Sequence, residues 1–216
     1  MPLPLSAALR EGSAAEHRDA ESAPFITALL AGELTARAHT DLLLRLRPVY
    51  ATLERALHEH RDHPVVSVVH DPGLARLGAI DADLEHWAPG ESREVRSPAA
   101  EAYVQRIERD ADDPAALLAH HYTRYLGDLS GGRIIGTLLR RIYDLPAGAG
   151  ATFYEFASIP HPRRYKDAYR ERLDALDLPA PRITALVDDV RAAFALNRAL
   201  FDELGADLPR YRLGAA

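Results

Sequence analysis

Cysteine is absent from the 216 residues of this chain, which removes disulfides, thiolate metal sites and thiol nucleophiles together. That absence is compatible with a reducing cytoplasm. Lysine is nearly absent as well: Lys166 is the only one, and arginine supplies the remaining basic side chains apart from histidine. The formal net charge is −6 and no basic block is long enough to track phosphates, so nucleic acid is excluded as a partner. No apolar run reaches the length of a membrane span, and Met1-Pro2-Leu3-Pro4-Leu5-Ser6 lacks the basic start and apolar run of a signal peptide. A soluble, cytoplasmic protein is expected. Strand signals are equally scarce. Val65-Val66-Ser67-Val68-Val69 is the one β-like run, and a single strand without a partner cannot form a sheet.

What is present is helix. Leu5, Leu9 and His17 share one i, i+4 row, which predicts an amphipathic first helix reaching about Ala20. Ser22-Ala23-Pro24 opens a short helix from Phe25 to Ala31, closed by Gly32. Thr35 is placed to cap a long helix carrying Leu42, Leu43, Leu46, Val49, Tyr50, Leu53 and Leu57, bent at Pro48. Further helices are predicted over 80–87, 99–109, 161–176 and 181–204, with Ser97-Pro98 and Asp113-Pro114 as start signals. No repeat or linker interrupts the chain, and an all-α, single-domain bundle over 1–216 follows.

The helix launched by Asp113-Pro114 runs to about Tyr143 and carries Gly127, Gly131 and Gly132 in its middle. Each glycine costs a helix interior about 1 kcal/mol relative to alanine, so three together give up roughly 3 kcal/mol of local preference. A missing Cβ allows a bend and lets another body approach the backbone. Arg124 and Asp128 lie one turn apart on the neighbouring face, a spacing that is ordinarily a surface ion pair.

Of the ten histidines, His17 stands apart, because it continues the apolar row of the first helix. His58, His60, His63, His70, His86, His120, His121 and His161 lie near polar or turn sequence. A buried imidazole needs a partner, and Glu21, one turn on, can accept from its Nδ1 and leave Nε2 facing inward. An axial metal ligand needs that arrangement, although an ordinary core hydrogen bond uses the same residues. Di-iron chemistry fits poorly, because Glu16-His17 and Glu59-His60 are adjacent pairs and not the Glu-x-x-His of carboxylate bundles. A hydrolase built on Ser130 and Asp128 lacks a nucleophile elbow. A flat ligand clamped between the His17 helix and the glycine helix accounts for both features.

The run Tyr122-Thr123-Arg124-Tyr125-Leu126-Gly127-Asp128-Leu129-Ser130-Gly131-Gly132 resembles the signature distal helix of the haem oxygenases. Leu9 to Phe25 is similar to the family's proximal helix, and Ala193-Phe194-Ala195-Leu196-Asn197 with Leu200-Phe201-Asp202-Glu203-Leu204 resembles its last core helix. The resemblance implies an enzyme for which haem b is both cofactor and substrate. It would take O2, and electrons from an external reductase or ferredoxin, to open the macrocycle at the α-meso carbon and release biliverdin, CO and ferrous iron. A haem-binding or storage protein of the same fold without turnover is the alternative, and a fold relative acting without haem is a third.

Residue by residue, the resemblance implies His17 as the haem-iron ligand with Glu21 as its partner. Gly127, Gly131 and Gly132 form the distal wall, with Asp128 holding an ordered water chain. Arg124, Tyr50, Tyr103 and Asn197 match outer members of that network, and Arg10, Tyr122, Lys166 and Arg170 match the propionate rim. The chain departs from the family at Ala14, where many relatives carry a basic residue, and at Arg10, His121 and Arg133. The chain ends at Ala216 without the hydrophobic tail of eukaryotic relatives. The resemblance therefore implies a bacterial form in haem-iron acquisition, or in bilin supply to a phytochrome or a biliverdin reductase.

Overall fold

The structure, a computed structural model, is described over residues 3–213, so the expectations drawn from the first two residues and from the end at Ala216 lie outside it. The described residues form eleven α-helices and no strand, with one isolated bridge between Leu34 and Arg212. The helices are α1 (Leu5–Gly12), α2 (Ala14–Glu21), α3 (Pro24–Leu30), α4 (Ala36–Glu59), α5 (Leu77–Trp87), α6 (Pro98–Asp110), α7 (Leu117–Gly127), α8 (Arg133–Tyr143), α9 (Pro162–Asp174), α10 (Ala180–Gly205) and α11 (Leu208–Tyr211). The Val65–Val69 run is a series of turns, as its isolation requires.

Periodicity explains the longest elements. In α4 the residues Leu42, Leu43, Leu46, Val49, Tyr50, Leu53, Ala56 and Leu57 recur every three or four positions, and all are buried. In α6 the Ser97 hydroxyl accepts from the Ala100 amide at 3.1 Å, and Pro98 occupies the first turn, where no amide is needed. Glu203 of α10 then ties three helices together, accepting from Arg45 Nε of α4 at 2.8 Å and from the Ala99 amide of α6 at 2.9 Å.

Three start signals act differently from expectation. The predicted first helix is two helices broken at Ser13, whose hydroxyl turns back to donate to the Leu9 carbonyl at 2.7 Å. Thr35 sits at the start of α4, but its hydroxyl caps nothing, and the Thr35 amide instead donates to Tyr211 O at 2.7 Å. Asp113 leaves the amides of its helix uncapped and pairs with Arg182 at 2.7 Å; a 3-10 turn, Pro114–Ala116, precedes α7.

The glycine-bearing helix is unbroken in sequence but changes its winding. Between α7 and α8, Asp128–Gly132 forms one π turn, the wider winding in which an extra residue is accommodated. This whole element divides the core. Tyr125 and Leu129 pack into a large cluster with α3 to α6, while Leu118 and Ala119 pack into a smaller one with α1, α9 and α10. The two cores therefore meet along α7, and the π turn follows it with Leu129 in the larger one.

Candidate active site

All the residues expected at a site line one cleft of about 460 Å³ except Tyr50 and Tyr103. Its volume lies in the ordinary range for small-molecule and cofactor sites. One wall is α2 with the end of α1, carrying Arg10, Ala14, His17 and Glu21; the facing wall is Tyr122 to Gly132. Phe194, Asn197 and Phe201 of α10 close the side, and Lys166 and Arg170 of α9 stand at the rim.

The glycines divide into two kinds. A Cβ added at Gly127 or Gly131 meets nothing within 4 Å, so these backbones border open cleft. Gly132 also reaches the cleft, but its Cβ direction points at Tyr154 Cδ1, 3.3 Å away. All three glycines line the cleft as expected, and Gly132 also makes room for Tyr154. The cradle a Cβ would fill, faced by an imidazole and rimmed by cations, fits a planar macrocycle with acidic substituents.

His17 departs from its predicted setting. Its side chain lines the cleft and is 48% exposed, and Ala20 is the buried residue of α2. The ring meets Phe194 edge-on at 5.1 Å between centroids. Glu21 Oε1 lies 3.5 Å from Nε2, not from Nδ1 as expected. One helical turn separates the two residues, and the far nitrogen of the imidazole is the one that reaches the longer side chain.

Opposite, a buried polar network backs the glycines. Tyr50 of α4 donates to Asp128 Oδ2, and Arg124 donates to the Tyr50 hydroxyl from Nε at 3.0 Å and Nη2 at 2.9 Å. Arg124 Nη1 donates to Asn197 Oδ1 at 2.7 Å, and Nη2 lies 3.5 Å from Asp128 Oδ1. The Arg124–Asp128 pair is buried, with each side chain 8% exposed, unlike the surface ion pairs such spacing ordinarily gives. Burial raises the Asp128 carboxyl above its usual value, opposed by Arg124, the Tyr50 hydrogen bond and Arg76. Burial opposes the charge on Arg124, yet Tyr50 and Asp128 hold its proton more firmly than usual. Tyr50 is kept in its phenol form, chiefly by burial.

Tyr103 stays apart from this network. Its hydroxyl is buried without a partner and its ring packs 5.6 Å from His120. His120 and His121 are themselves fully buried, although their polar neighbours in sequence suggested otherwise. His120 Nε2 lies 2.7 Å from Asp110 and His121 Nδ1 lies 3.0 Å from the Tyr169 hydroxyl. Burial lowers His121 to about 3, which keeps it neutral.

At the rim, Lys166 donates to Ser130 Oγ at 2.8 Å and Arg170 to Asp167 Oδ1 at 2.8 Å, while Tyr122 lines the cleft between them and Arg10. Sequence reasoning missed Arg18, Phe153 and Tyr154, which also line the cleft. The aromatic pair carried no signal, since nothing in a lone Phe-Tyr turn marks it as facing a distant glycine.

The sequence model of the family described as "Heme oxygenase" matches residues 3–203. Heme oxygenase 1 of Nostoc sp. is 38% identical over 203 residues, covering 93% of this chain and 85% of the relative. The chain belongs to the haem oxygenase family. Its fold agrees. Haem oxygenase-2 from Synechocystis sp., solved in complex with haem and NO, superposes with a TM-score of 0.91 at 34% identity, covering 96% of this chain and 88% of that one. The haem oxygenase of Leptospira interrogans gives 0.88 at 34% identity, covering 93% and 100% respectively. As a member of a family of haem-degrading oxygenases, the chain keeps the paired-helix cleft in which the residues described above converge. No helix among the described residues is long and apolar enough to cross a membrane.

Proposed function

We propose that this haem oxygenase opens haem at the α-meso carbon, with O2 and electrons from an external donor, to give biliverdin, CO and ferrous iron. The observation that carries the reading is the pairing, across one cleft, of the His17 imidazole with the open backbones of Gly127 and Gly131. Bound haem supplies the iron that activates O2 and is also the molecule consumed.

The protein's part is to hold and orient. His17 would hold the haem iron through one ring nitrogen, and Glu21, by accepting from the other, would fix the imidazole's tautomer and orientation. Arg10, Tyr122, Lys166 and Arg170 bind the propionates by charge-assisted hydrogen bonds, which sets the ring's rotation in the cleft. Gly127 and Gly131 present bare backbone to the cleft, so they would place no acidic side chain beside O2 bound there. Asp128 instead holds water beside the wall. Its carboxyl is aligned by Tyr50, while Arg124 and Asn197 keep Tyr50 and the carboxylate in register, and protons reach the distal face through that water. Tyr103 lies behind the network and contributes packing.

Haem titration followed by turnover with ascorbate under O2 tests the reading. The Soret band is expected to collapse while biliverdin absorbance rises and CO is released. His17→Ala is expected to abolish the histidine-ligated spectrum. A Soret band that persists under reductant and O2 points to haem storage and overturns the proposal.

A further inference from the structure

The inner end of the cleft is closed by the 3-10 turn Thr152–Tyr154, and two charged side chains from one stretch of chain grip that turn from opposite sides. Asp83 of α5 is fully buried. Its Oδ1 accepts from the Thr152 amide at 2.8 Å and the Thr152 hydroxyl at 2.6 Å, and its Oδ2 accepts from the Phe153 amide at 2.8 Å. Arg76, just ahead of α5, donates to the carbonyls of Phe153, at 3.3 Å, and Glu155, and lies 4.0 Å over the Phe156 ring. The anion takes the amides and the cation takes the carbonyls, so the turn is fixed at both polar ends. Glu54 of α4 in turn accepts the amides of Arg76, at 2.5 Å, and Leu77, at 3.0 Å, which anchors the clamp to a long helix of the large core.

What the clamp holds is Tyr154. Its Cβ would lie 2.7 Å from a Cβ at Gly136, and its ring edge 3.3 Å from one at Gly132. Tyr154 is thus wedged into a notch spanning the end of the π turn and the first turn of α8. Its other side, with Phe153, lines the cleft. Both aromatics are buried, whereas Arg10, Lys166 and Arg170 occupy the exposed rim, so the cleft has a cationic outer end and a clamped aromatic inner end.

We propose that Asp83 is a positioning residue which, acting through Thr152 and Phe153, fixes Tyr154 as the inner stop of the cleft and selects which meso edge faces the Asp128 network. The inference rests on the ring-opening reading. A ring gripped by its propionates alone can still pivot about the rim; an inner stop removes that freedom. Asp83 has no other hydrogen-bonding partner among the described residues, so its carboxylate is committed to this turn.

Asp83→Asn tests the proposal, because an amide that keeps the Thr152 contacts must turn its NH2 against the Phe153 N–H. Thr152→Val removes the hydroxyl, which contacts Asp83 and also lies 3.1 Å from the Ala79 carbonyl, and stands in if Asp83→Asn does not fold; Thr152→Ser keeps the hydroxyl and serves as the rescue. Two readouts are taken on haem-loaded protein: ring-methyl proton shifts of the ferric cyanide complex, which report seating without turnover, and the biliverdin isomer ratio after ascorbate turnover. Asp83→Asn, or Thr152→Val in its place, is expected to show additional methyl-shift sets and a major-to-minor isomer ratio lowered about tenfold, with haem affinity changed less than about threefold. Thr152→Ser is expected to match the wild type in both. If the altered variants fold, bind haem and retain wild-type shifts and isomer ratio, the inference is overturned. If wild-type protein forms no bilin, the ring-opening reading fails, and the methyl shifts alone decide whether Asp83 seats the ring.

Discussion

A Cβ built on Gly136 would stand 2.7 Å from the Cβ of Tyr154, whereas one built on Gly131 meets nothing within 4 Å. Two glycines five residues apart therefore answer to different neighbours, one to protein and one to the cleft. Gly131→Ala is expected to raise haem-free stability by up to about 1 kcal/mol through helix preference, while weakening haem binding. Gly136→Ala is expected to cost about 1–3 kcal/mol, because either Tyr154 or α8 must move. Thermal melts of the haem-free variants and haem titrations check both. Equal behaviour of the two would show that neither contact governs its glycine.

The long helices were legible because α4 and α6 bury regularly spaced side chains, and the Ser97-Pro98 start of α6 acts through local hydrogen bonds. The cleft was legible because its glycines break a rule that the rest of their helix obeys. The π turn was not, since a change of winding leaves no mark in composition. The exposure of His17 was not legible because an apolar row does not distinguish a residue facing a cleft from one facing the core. Tyr154 and Asp83 were invisible for a different reason. Their partners are far away in sequence, and a buried carboxylate facing amides looks like any acidic residue on a helix.

Asp128 carries a prediction about pH. Burial raises its carboxyl above the ordinary aspartate value, so between that value and the raised one the folded state holds a proton that the unfolded state has lost. Stability contributed by the protonated form is present at low pH and is lost as pH rises through the folded value. Asp128→Asn cannot titrate. Its melting temperature relative to wild type is therefore expected to be more favourable at about pH 7.5 than at about pH 4.5, while single-turnover ring opening falls at least about 100-fold. A melting temperature that falls relative to wild type as pH rises would contradict the sign.

Asp110 predicts the reverse. Burial alone would raise it, but the hydrogen bonds from His120 and Arg106 win and lower its carboxyl below the usual value. A depressed carboxyl contributes stability above the ordinary aspartate value and loses it as pH falls through the folded one. Asp110→Asn is expected to cost about 1–3 kcal/mol at neutral pH, since it weakens the partners of a fully buried imidazole. That penalty should close in acid. Urea melts of the two proteins across the acid range measure it, and a penalty that grows in acid would assign the stabilisation elsewhere.

Lys166 and Arg170 test the orientation of the whole cleft. Both line it, and both now donate only to side chains on exposed surface, Ser130 Oγ and Asp167 Oδ1. Those bonds are readily exchanged for propionates, because exposed pairs of this kind contribute little to stability. Lys166→Met keeps the stem and removes the charge. It and Arg170→Ala are each expected to weaken haem binding about tenfold at low salt, without lowering the haem-free melting temperature. The loss should shrink as ionic strength rises, because wild-type affinity then falls toward that of the variants. A haem derivative with esterified propionates is the control: it lacks the anions, so it should bind wild type and both variants alike. If the ester discriminates between them as haem does, these cations shape the cleft instead of holding the acidic end of the ring.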